Sequence, residues 1–251
     1  MTRTAIVTGA SSGIGAAIAR AFGARGWSVA LGARRADRLE SVAREVESAG
    51  GRALAHTLDV REPVSVDAFF AATESAFGPA DLVVSNAGLG RPGLLHEIDI
   101  DEIRLEIETN LLGPILVARR AIPAMIERGQ GDLVFISSMN VVAPRPMQLG
   151  YTASKAGVEG VAQTLRMDLE GTGVRSIIVR PGPTKSEFGV GWEPKALERL
   201  IESWQRWGFL RHWNILDGDA IAAAVVGVVD MPAGANVDIV QVTPPEPKPD
   251  K

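Results

Sequence analysis

The sequence contains no cysteine among its 251 residues, and it contains only one tyrosine, Tyr151. The absence of cysteine excludes a disulfide framework and a thiolate nucleophile. The three histidines lie far apart and without metal-ligand spacing, at His56, His96 and His212. We therefore interpret each histidine as structural or exposed, and we expect no metal site.

The sequence also lacks a strong excess of charge and a long apolar run. Its formal net charge is -4 at pH 7, and no basic stripe offsets this value, so we do not expect a nucleic-acid partner. No apolar stretch has the length of a signal peptide near the start, or of a membrane span elsewhere. We expect a cytoplasmic protein without a membrane partner.

What the sequence does contain is a repeated alternation between short β-branched runs and longer amphipathic runs. The predicted strands are residues 4–8, 28–33, 52–59, 81–86, 132–138, 174–182 and 236–242. The predicted helices are residues 13–26, 35–50, 62–78, 101–128, 150–171 and 217–230. Nearly continuous apolar strands indicate burial on both faces. The pattern predicts an α/β fold with a doubly wound, parallel seven-stranded sheet and helices on both faces.

No linker or internal repeat divides the chain, so we predict a single domain over residues 1–251 with a frayed tail at about 244–251. A long insertion at about 183–216 holds four of the five tryptophans. It contains one apolar helical stripe, which consists of Leu197, Leu200, Ile201, Trp204 and Trp207. This stripe indicates either an amphipathic helix that packs on the body or a lid that closes over substrate.

A glycine-rich turn, VTGASSGIG at residues 7–15, follows the first predicted strand and opens the first helix. Gly9, Gly13 and Gly15 permit a tight turn and a close approach of the backbone, and the helix N-terminus offers N–H groups to a phosphate. The glycine spacing is the reverse of the ordinary dinucleotide fingerprint, so the motif alone also fits a structural turn. Its position after the first strand favours a nucleotide site.

Tyr151 and Lys155 are four residues apart in GYTASKAGVEG, so they share one face of a helix. An unperturbed tyrosine titrates near ~10, and an adjacent ammonium group favours the phenolate and lowers the pKa. Ser138 lies thirteen residues before Tyr151, at the end of the fifth predicted strand. The fold would bring its hydroxyl to Tyr151 over the carboxyl end of the sheet, although Ser137 is a rival for this place.

Several spaced segments together resemble the short-chain dehydrogenase/reductase family, in its single-domain branch with TGxxxGIG and YxxxK motifs. They are TGASSGIG, NAG at 86–88, Asn110 in TNLLG, Ser138 in FISS, YTASK at 151–155 and RPGPTKSEF at 180–188. The resemblance runs from about residue 4 to about residue 243. It implies a Rossmann-type nicotinamide oxidoreductase that acts on a carbonyl or a secondary alcohol.

By this resemblance, Tyr151 exchanges a proton with the substrate oxygen, and Ser138 hydrogen-bonds the same oxygen. Lys155 binds the nicotinamide ribose and tunes Tyr151. Asn110 bends its long helix and holds a water molecule that relays protons to Lys155. Taken alone, Asn110 also fits a polar residue that is satisfied locally inside a helix.

The resemblance also implies a set of cofactor contacts. Asp59 matches the contact to the adenine amine, although by itself it also fits a turn aspartate at a strand end. Ser186 stands where the family often has threonine, and it keeps the hydroxyl. The full set is Gly9, Ser11, Ser12, Gly13, Ile14, Gly15, Arg34, Arg35, Asp59, Val60, Asn86, Ala87, Gly88, Tyr151, Lys155, Pro181, Gly182, Thr184 and Ser186.

The end of the second strand predicts NADP rather than NAD. NAD enzymes of this type generally place an acid there for the ribose diol, whereas this sequence has Ala33 followed by Arg34 and Arg35. A guanidinium holds a phosphate through paired hydrogen bonds. The alternative is that both arginines only solvate the start of a helix, and Asp37 fits an early-helix acid. We expect Arg34 to carry most of the discrimination.

The sequence therefore predicts an NADP(H)-dependent oxidoreductase with a bulky, largely apolar substrate. A homotetramer or homodimer is expected through the helices at 101–128 and 150–171. Two other classes fit less well. A non-catalytic sensor would be expected to lack a member of the constellation, and a sugar-nucleotide epimerase usually has a larger C-terminal substrate domain than this length allows.

Overall fold

The computed structural model describes residues 2–210 and 214–245. The predicted frayed tail lies outside the described residues except for Pro244 and Pro245, and His212 lies outside them as well. No helix in the described part of the chain is both long enough and apolar enough to cross a membrane.

Within these residues, seven strands alternate with eight α-helices. The strands are β1 (Thr4–Thr8), β2 (Ser28–Ala33), β3 (Arg52–Thr57), β4 (Leu82–Ser85), β5 (Gly131–Ile136), β6 (Val174–Pro181) and β7 (Ile239–Val242). The helices are α1 (Gly13–Gly23), α2 (Ala36–Ser48), α3 (Pro63–Phe77), α4 (Ile100–Ile107), α5 (Gly113–Arg128), α6 (Leu149–Asp168), α7 (Pro194–Arg206) and α8 (Gly218–Val229).

All seven strands pair in parallel in one sheet, in the order β3-β2-β1-β4-β5-β6-β7. Helices α1, α2 and α8 cover one face through a core that includes Ile18, Phe22 and Val225. Helices α3, α5 and α6 cover the other face through a second core that includes Phe69 and Met125. The prediction of a doubly wound, seven-stranded α/β fold is confirmed.

The burial of the strands explains why they contain continuous apolar runs instead of alternating ones. Every residue of β1 and β2 is buried, because helices cover both faces of the central strands. The edge strands β3 and β7 are more exposed. The regular ladder stops at Thr57, Ser85 and Ile136, before the predicted ends at 59, 86 and 138, so the last predicted strand residues belong to loops.

The segment predicted as one helix over 101–128 is instead two α-helices joined by a π-helical turn. Helix α4 ends at Ile107, residues Glu108–Leu112 form the π turn, and α5 begins at Gly113. A π turn widens the backbone spiral and changes the direction of the side chains within it. Asn110 lies in this turn and is fully buried.

Candidate active site

The strand order reverses between β1 and β4. Parallel α/β sheets bind ligands at the carboxyl ends of strands beside such a reversal. The loops that follow β1, β2, β4, β5 and β6 line one cleft of about 830 Å³ at this edge. Nearly all the predicted site residues line the cleft, whereas Gly15 and Asn110 are buried directly behind it.

The glycine-rich turn after β1 depends on the absence of side chains. Gly9 and Gly13 have φ values of 65° and 54°, in the left-handed region that favours glycine. A Cβ atom on Gly9 would lie 2.7 Å from Cα of Ala87, and one on Gly15 would collide with the carbonyl oxygen of Gly9. The side-chain amide of Asn86 donates to the same carbonyl at 3.2 Å. The turn is therefore held against the loop after β4, and its shape fits the pyrophosphate of a dinucleotide at the α1 N-terminus.

A carboxylate lies beside this turn. One guanidinium nitrogen of Arg35 donates to the hydroxyls of Ser11 and Ser12, at 2.9 Å each, and another lies 2.6 Å from a carboxylate oxygen of Glu187. Hydrogen bonds from Arg35 and Ser12 lower the pKa of Glu187. Sequence reasoning missed this role of Glu187, because the contact joins the loop after β6 to the start of α2 and leaves no local pattern.

At the adenosine end, Arg34 and Asp59 both line the cleft. The Asp59 carboxylate accepts hydrogen bonds from Arg61 Nε at 3.0 Å and from a terminal guanidinium nitrogen at 2.6 Å. The bond with Arg61 lowers the pKa of Asp59, and the charge of Arg34 has a smaller effect in the same direction. Asp59 therefore anchors its own turn here. Next to Asp59, Val60 packs against Gly113, and its Cγ2 lies 2.7 Å from the place that a Cβ on Gly113 would take.

Ser138 and Tyr151 meet at the wall of the cleft. The Ser138 oxygen accepts a hydrogen bond from Asn140 N at 3.1 Å, which fixes the start of the loop after β5. Burial raises the pKa of Tyr151, while a hydrogen bond from Ser138 and the positive charge of Arg145 lower it. The positive charge of Arg145 beside Tyr151 was not expected from the sequence, and the tuning of Tyr151 by Lys155 stays a prediction.

Lys155 lies one helical turn after Tyr151, and it is almost completely buried, with 4% of its surface exposed. Its Nζ donates to the carbonyl oxygen of Ile136 at 2.8 Å and lies 6.0 Å from the centroid of the Tyr151 ring. Burial lowers the pKa of Lys155 to about 8. A Cβ on Gly88 would lie 3.4 Å from Nζ, so the NAG turn runs directly past this ammonium group.

Asn110 connects the π turn to the loop after β4 and to α6. Its Oδ1 accepts from Leu89 N at 2.9 Å, and its Nδ2 donates to Leu89 O at 2.7 Å and to Ser154 Oγ at 3.0 Å. The same Oδ1 would lie 3.2 Å from a Cβ on Gly88. These bonds occupy the side chain on both sides and make Asn110 a brace behind the cleft.

The two neighbouring serines differ in their partners. The Ser137 hydroxyl donates to Glu159 Oε1 at 2.6 Å, and Glu159 also accepts hydrogen bonds from Arg180. Ser137 therefore belongs to a buried ionic cluster between β5, β6 and α6. Its neighbour Ser138 accepts from Asn140 N and lines the cleft together with Tyr151. The thirteen-residue spacing before Tyr151 favoured Ser138 over its rival Ser137, and the Ser137 hydroxyl is bonded to Glu159.

The residues after β6 form the other wall of the cleft. Pro181, Gly182, Thr184 and Ser186 all line it. The Thr184 hydroxyl donates to Gly182 O at 2.9 Å, and the Ser186 oxygen accepts from Phe188 N at 3.2 Å. These short bonds give the loop a defined shape beside the α1 N-terminus.

The predicted insertion folds over Tyr151. The Phe188 ring lies 4.9 Å from the Tyr151 ring, and the Trp192 ring lies 5.4 Å from that of Phe188, centroid to centroid. The Trp192 indole donates to Gly90 O at 2.8 Å. Four members of the apolar stripe line the cleft, but Trp207 is 68% exposed and does not, so its assignment to the inner face is wrong.

Comparison with known proteins gives the family. A family model described as short chain dehydrogenase matches residues 3–196. The chain is a short-chain dehydrogenase. It is 39% identical to a short chain dehydrogenase of Pseudocercospora fijiensis over 74% of this chain, and it spans 61% of that protein's length. It is 34% identical to sulfoacetaldehyde reductase 2 of Chromohalobacter salexigens, over 97% of this chain and 95% of the relative.

Solved structures of other short-chain dehydrogenases have the same fold. An alcohol dehydrogenase from the archaeon Thermococcus sibiricus, complexed with 5-hydroxy-NADP, superposes with a TM-score of 0.84 at 31% identity and full coverage of both chains. A metagenomic short-chain oxidoreductase in complex with NADP superposes with a TM-score of 0.81 at 32% identity, over 98% of each chain. The Rossmann-type architecture implied by the motifs is confirmed.

Two charged residues near the site of this short-chain dehydrogenase were not predicted. Arg145 lines the cleft beside Tyr151, and Glu106 is fully buried in α4. Burial raises the pKa of Glu106 to about 7. Neither residue belongs to a family motif quoted above. Arg145 stands between two prolines and Glu106 stands among other charged residues, so no local pattern distinguishes them. No cluster of three or more potential metal ligands occurs in the described ranges.

Proposed function

We propose that this short-chain dehydrogenase transfers hydride between NADP(H) and a carbonyl or secondary alcohol. Ser138, Tyr151 and Lys155 are the residues proposed to act in the reaction. The observation that supports the proposal most is that Ser138, Tyr151 and Lys155 line the same cleft, with Lys155 one turn further along α6 than Tyr151.

The proposed chemistry of the protein follows from the two hydroxyls. A carbonyl oxygen that accepts hydrogen bonds from Tyr151 and Ser138 is polarised, and Tyr151 then delivers a proton to it as negative charge develops. In the reverse direction, Tyr151 removes the proton from the alcohol. The nicotinamide, when bound, supplies or accepts the hydride.

Lys155 and Asn110 are proposed to support this proton transfer. The Lys155 Nζ is within reach of Gly88 and Ile136, on the inner side of Tyr151. Its pKa of about 8 allows it to exchange protons near neutral pH. Asn110 braces the backbone of Leu89 and thereby keeps the NAG turn beside Lys155. The proposed water relay at Asn110 remains a prediction.

NADP(H) is the proposed cofactor because of the residues at the end of β2. Ala33 is small and 8% exposed, and Arg34 and Arg35 follow it on the cleft wall. A cluster of guanidinium groups favours a phosphate at this place, whereas no acid stands there to bind a ribose diol. The solved structures described above, one with 5-hydroxy-NADP and one with NADP, support the same assignment.

The proposed substrate has a largely apolar body. The part of the cleft beyond Tyr151 is walled by apolar side chains from the insertion and α7, namely Phe188, Val190, Trp192, Leu197, Leu200, Ile201 and Trp204. Such a wall excludes water from the reacting carbon and binds a carbon skeleton through area burial. A cytoplasmic location and a homotetrameric or homodimeric assembly are proposed from the sequence.

The Tyr151→Phe variant tests the proposed function. The phenyl ring keeps the contact with Phe188 and removes only the hydroxyl, so we expect kcat to fall by at least about a hundred-fold, as for loss of a general acid. Consumption of NADPH with a panel of ketones, followed by absorbance, measures turnover. NADPH affinity serves as the control and is expected to stay nearly unchanged. Retention of more than about a hundredth of kcat would contradict the role of Tyr151.

A further inference from the structure

The loop between β5 and α6 places a guanidinium group in the substrate end of the cleft. Arg145 stands between Pro144 and Pro146 in this loop. A proline fixes its own φ and restricts the residue before it to extended conformations, so this tripeptide has little backbone freedom. The cleft position of Arg145 is therefore defined by a stiff segment and does not depend on a flexible surface loop.

Further contacts hold the loop in place. Asn140 and Gln148, near its two ends, are both buried and share a hydrogen bond of 2.7 Å. Met147 adopts a φ of 64°, which is uncommon for a residue with a side chain, and its carbonyl accepts from Gly93 N at 2.9 Å. A constrained conformation of this kind persists because the surrounding bonds hold it.

The guanidinium of Arg145 has no ionic partner among residues 2–210 and 214–245. Its guanidinium lies 4.5 Å from the centre of the Trp204 ring, and its Nε is buried without a hydrogen-bond acceptor. Within the described residues, no carboxylate pairs with it. By contrast, the half-buried arginines Arg175 and Arg180 are each paired through two nitrogens with a buried carboxylate. A buried donor without an acceptor is unfavourable, so the Nε of Arg145 distinguishes it from these two arginines.

Stacking on Trp204 does not by itself explain this arrangement. A cation–π contact uses the flat face of the guanidinium, whereas its N–H donors point outward in the plane of the group. The Trp204 indole donates to Pro146 O at 3.2 Å, so the ring is itself fixed against the loop. Trp204 therefore orients the guanidinium and leaves its donor edge available to a ligand.

We infer that the substrate carries an anionic carboxylate or sulfonate group, and that Arg145 binds this group while Tyr151 and Ser138 bind the reacting oxygen. This inference rests on the proposed function. Both acid groups offer two oxygens to the planar fork of an arginine. The apolar wall around Trp204 and Leu200 receives the carbon skeleton, so the expected substrate is an oxo acid or hydroxy acid with an apolar body. Burial also lowers the pKa of Arg145, an effect that a bound anion would oppose.

Matched substrates test the inference. We would measure kcat/KM with NADPH for acetoacetate, acetonesulfonate and the neutral methyl acetoacetate, and for a cyclohexanone that carries a ring carboxylate against its methyl ester. The wild type is expected to prefer an acid to its ester. In Arg145→Gln the ratio of kcat/KM for the acid to kcat/KM for its ester is expected to fall about ten- to a hundred-fold, which is the range for loss of a charge-assisted bond. Comparison of acetoacetate with acetonesulfonate shows whether Arg145 prefers a carboxylate or a sulfonate.

Two further variants separate binding from folding. Arg206→Gln removes an exposed arginine at the end of α7, outside the cleft, and is expected to keep the wild-type ratio. Arg145→Lys keeps the charge and the apolar stem but loses the fork, so an intermediate ratio is expected, and it replaces Arg145→Gln if that variant does not fold. An unchanged ratio in the Arg145 variant, or a wild type that prefers the esters, would overturn the inference.

A binding measurement separates this inference from the proposed function. Calorimetric titration of the NADP-loaded protein compares cyclohexanecarboxylate with cyclohexanecarboxamide. The anion site is supported if the wild type binds the acid more tightly than the amide and Arg145→Gln abolishes this difference. This result supports the site even if no ketone is reduced. Reduction of ketones without any acid preference in either assay leaves the proposed function in place and refutes the anion site.

Discussion

At the scale of single residues, substitution of Arg34 tests the cofactor preference directly. It lines the cleft at the end of β2, where an arginine can hold a phosphate through paired hydrogen bonds. We expect Arg34→Ala to weaken NADPH binding by about ten- to a hundred-fold and to leave NADH use nearly unchanged. The measurement is kcat/KM for both cofactors in wild type and variant. Equal or better use of NADH by the wild type would refute the NADP preference.

Glu187 leads to a second prediction at this scale. Its carboxylate pairs with Arg35 beside Ser12, at the place expected for a cofactor phosphate, so the two anions compete for the same donors. We expect Glu187→Gln to bind NADPH more tightly, by up to about five-fold, since a half-exposed ion pair is worth at most roughly 1 kcal/mol. Calorimetric titration of NADPH measures the change.

The control for this prediction is Glu198→Gln, because Glu198 is exposed on α7 and does not line the cleft. It removes the same charge from the same insertion. An equal gain in both variants would indicate a general effect of net charge, and weaker binding by Glu187→Gln would mean that Glu187 orders the loop for the cofactor.

At the scale of elements, the packing of α4 against α6 contains a buried acid. Glu106 Oε1 accepts from Arg91 N at 2.6 Å, while Oε2 is buried without a partner and lies where a Cβ on Gly150 would be. Gly150 is therefore needed for α6 to approach α4 at this point. Desolvation raises the pKa of Glu106 from 4.5 to about 7, because it disfavours the charged form.

This shift has a direct consequence for stability. A raised pKa means that the native state holds the proton on Glu106 more tightly than the unfolded state does. The stabilisation of the native state by this proton is therefore present below about pH 4.5, and it is lost as pH rises through about 7. We expect wild type to lose up to roughly 3 kcal/mol relative to Glu106→Gln between these values. Urea unfolding at several pH values measures the difference.

Glu127→Gln, at an exposed position near the end of α5, serves as the matched control and is expected to show the pH dependence of the wild type. A parallel pH dependence in wild type and Glu106→Gln would mean that Glu106 is ionised without cost, and the proposed effect of its burial would be wrong.

At the scale of the whole molecule, the expected assembly depends on apolar surface that the sheet does not cover. Val158 in α6 and Leu169 directly after it do not supply this surface, because both are buried in the core. The exposed apolar side chains in this part of the chain include Leu112, Leu149 and Met167, which are 42%, 51% and 67% exposed. These residues support an interface on the same helices, formed by a different set of side chains.

We expect light scattering at micromolar concentration to give the mass of a dimer or tetramer, and Leu112→Asp to lower it by introducing a charge into the interface. Val64→Asp on α3 is the control, because Val64 is 81% exposed and lies on a helix outside the expected interface. A monomer mass for the wild type would refute the assembly, and an equal effect of both variants would place the interface elsewhere.

The sequence by itself determined the strands, the glycine turn and the Tyr151–Lys155 pair, because each of these depends on residues close together in the chain. An apolar run specifies a buried strand, and a spacing of four residues specifies one face of a helix. The motifs also indicated the family, and the family implies how the strands and helices are arranged in the fold.

Only the tertiary structure decided which distant groups meet. Arg145 lies beside Tyr151, Glu187 pairs with Arg35, and Ser137 is held by Glu159. Each of these contacts joins separate loops or elements, so no local periodicity encodes it. Lys155 lies one helical turn after Tyr151 and was expected from the spacing, whereas the positive charge of Arg145 near the same phenol comes from the fold of the loop after β5.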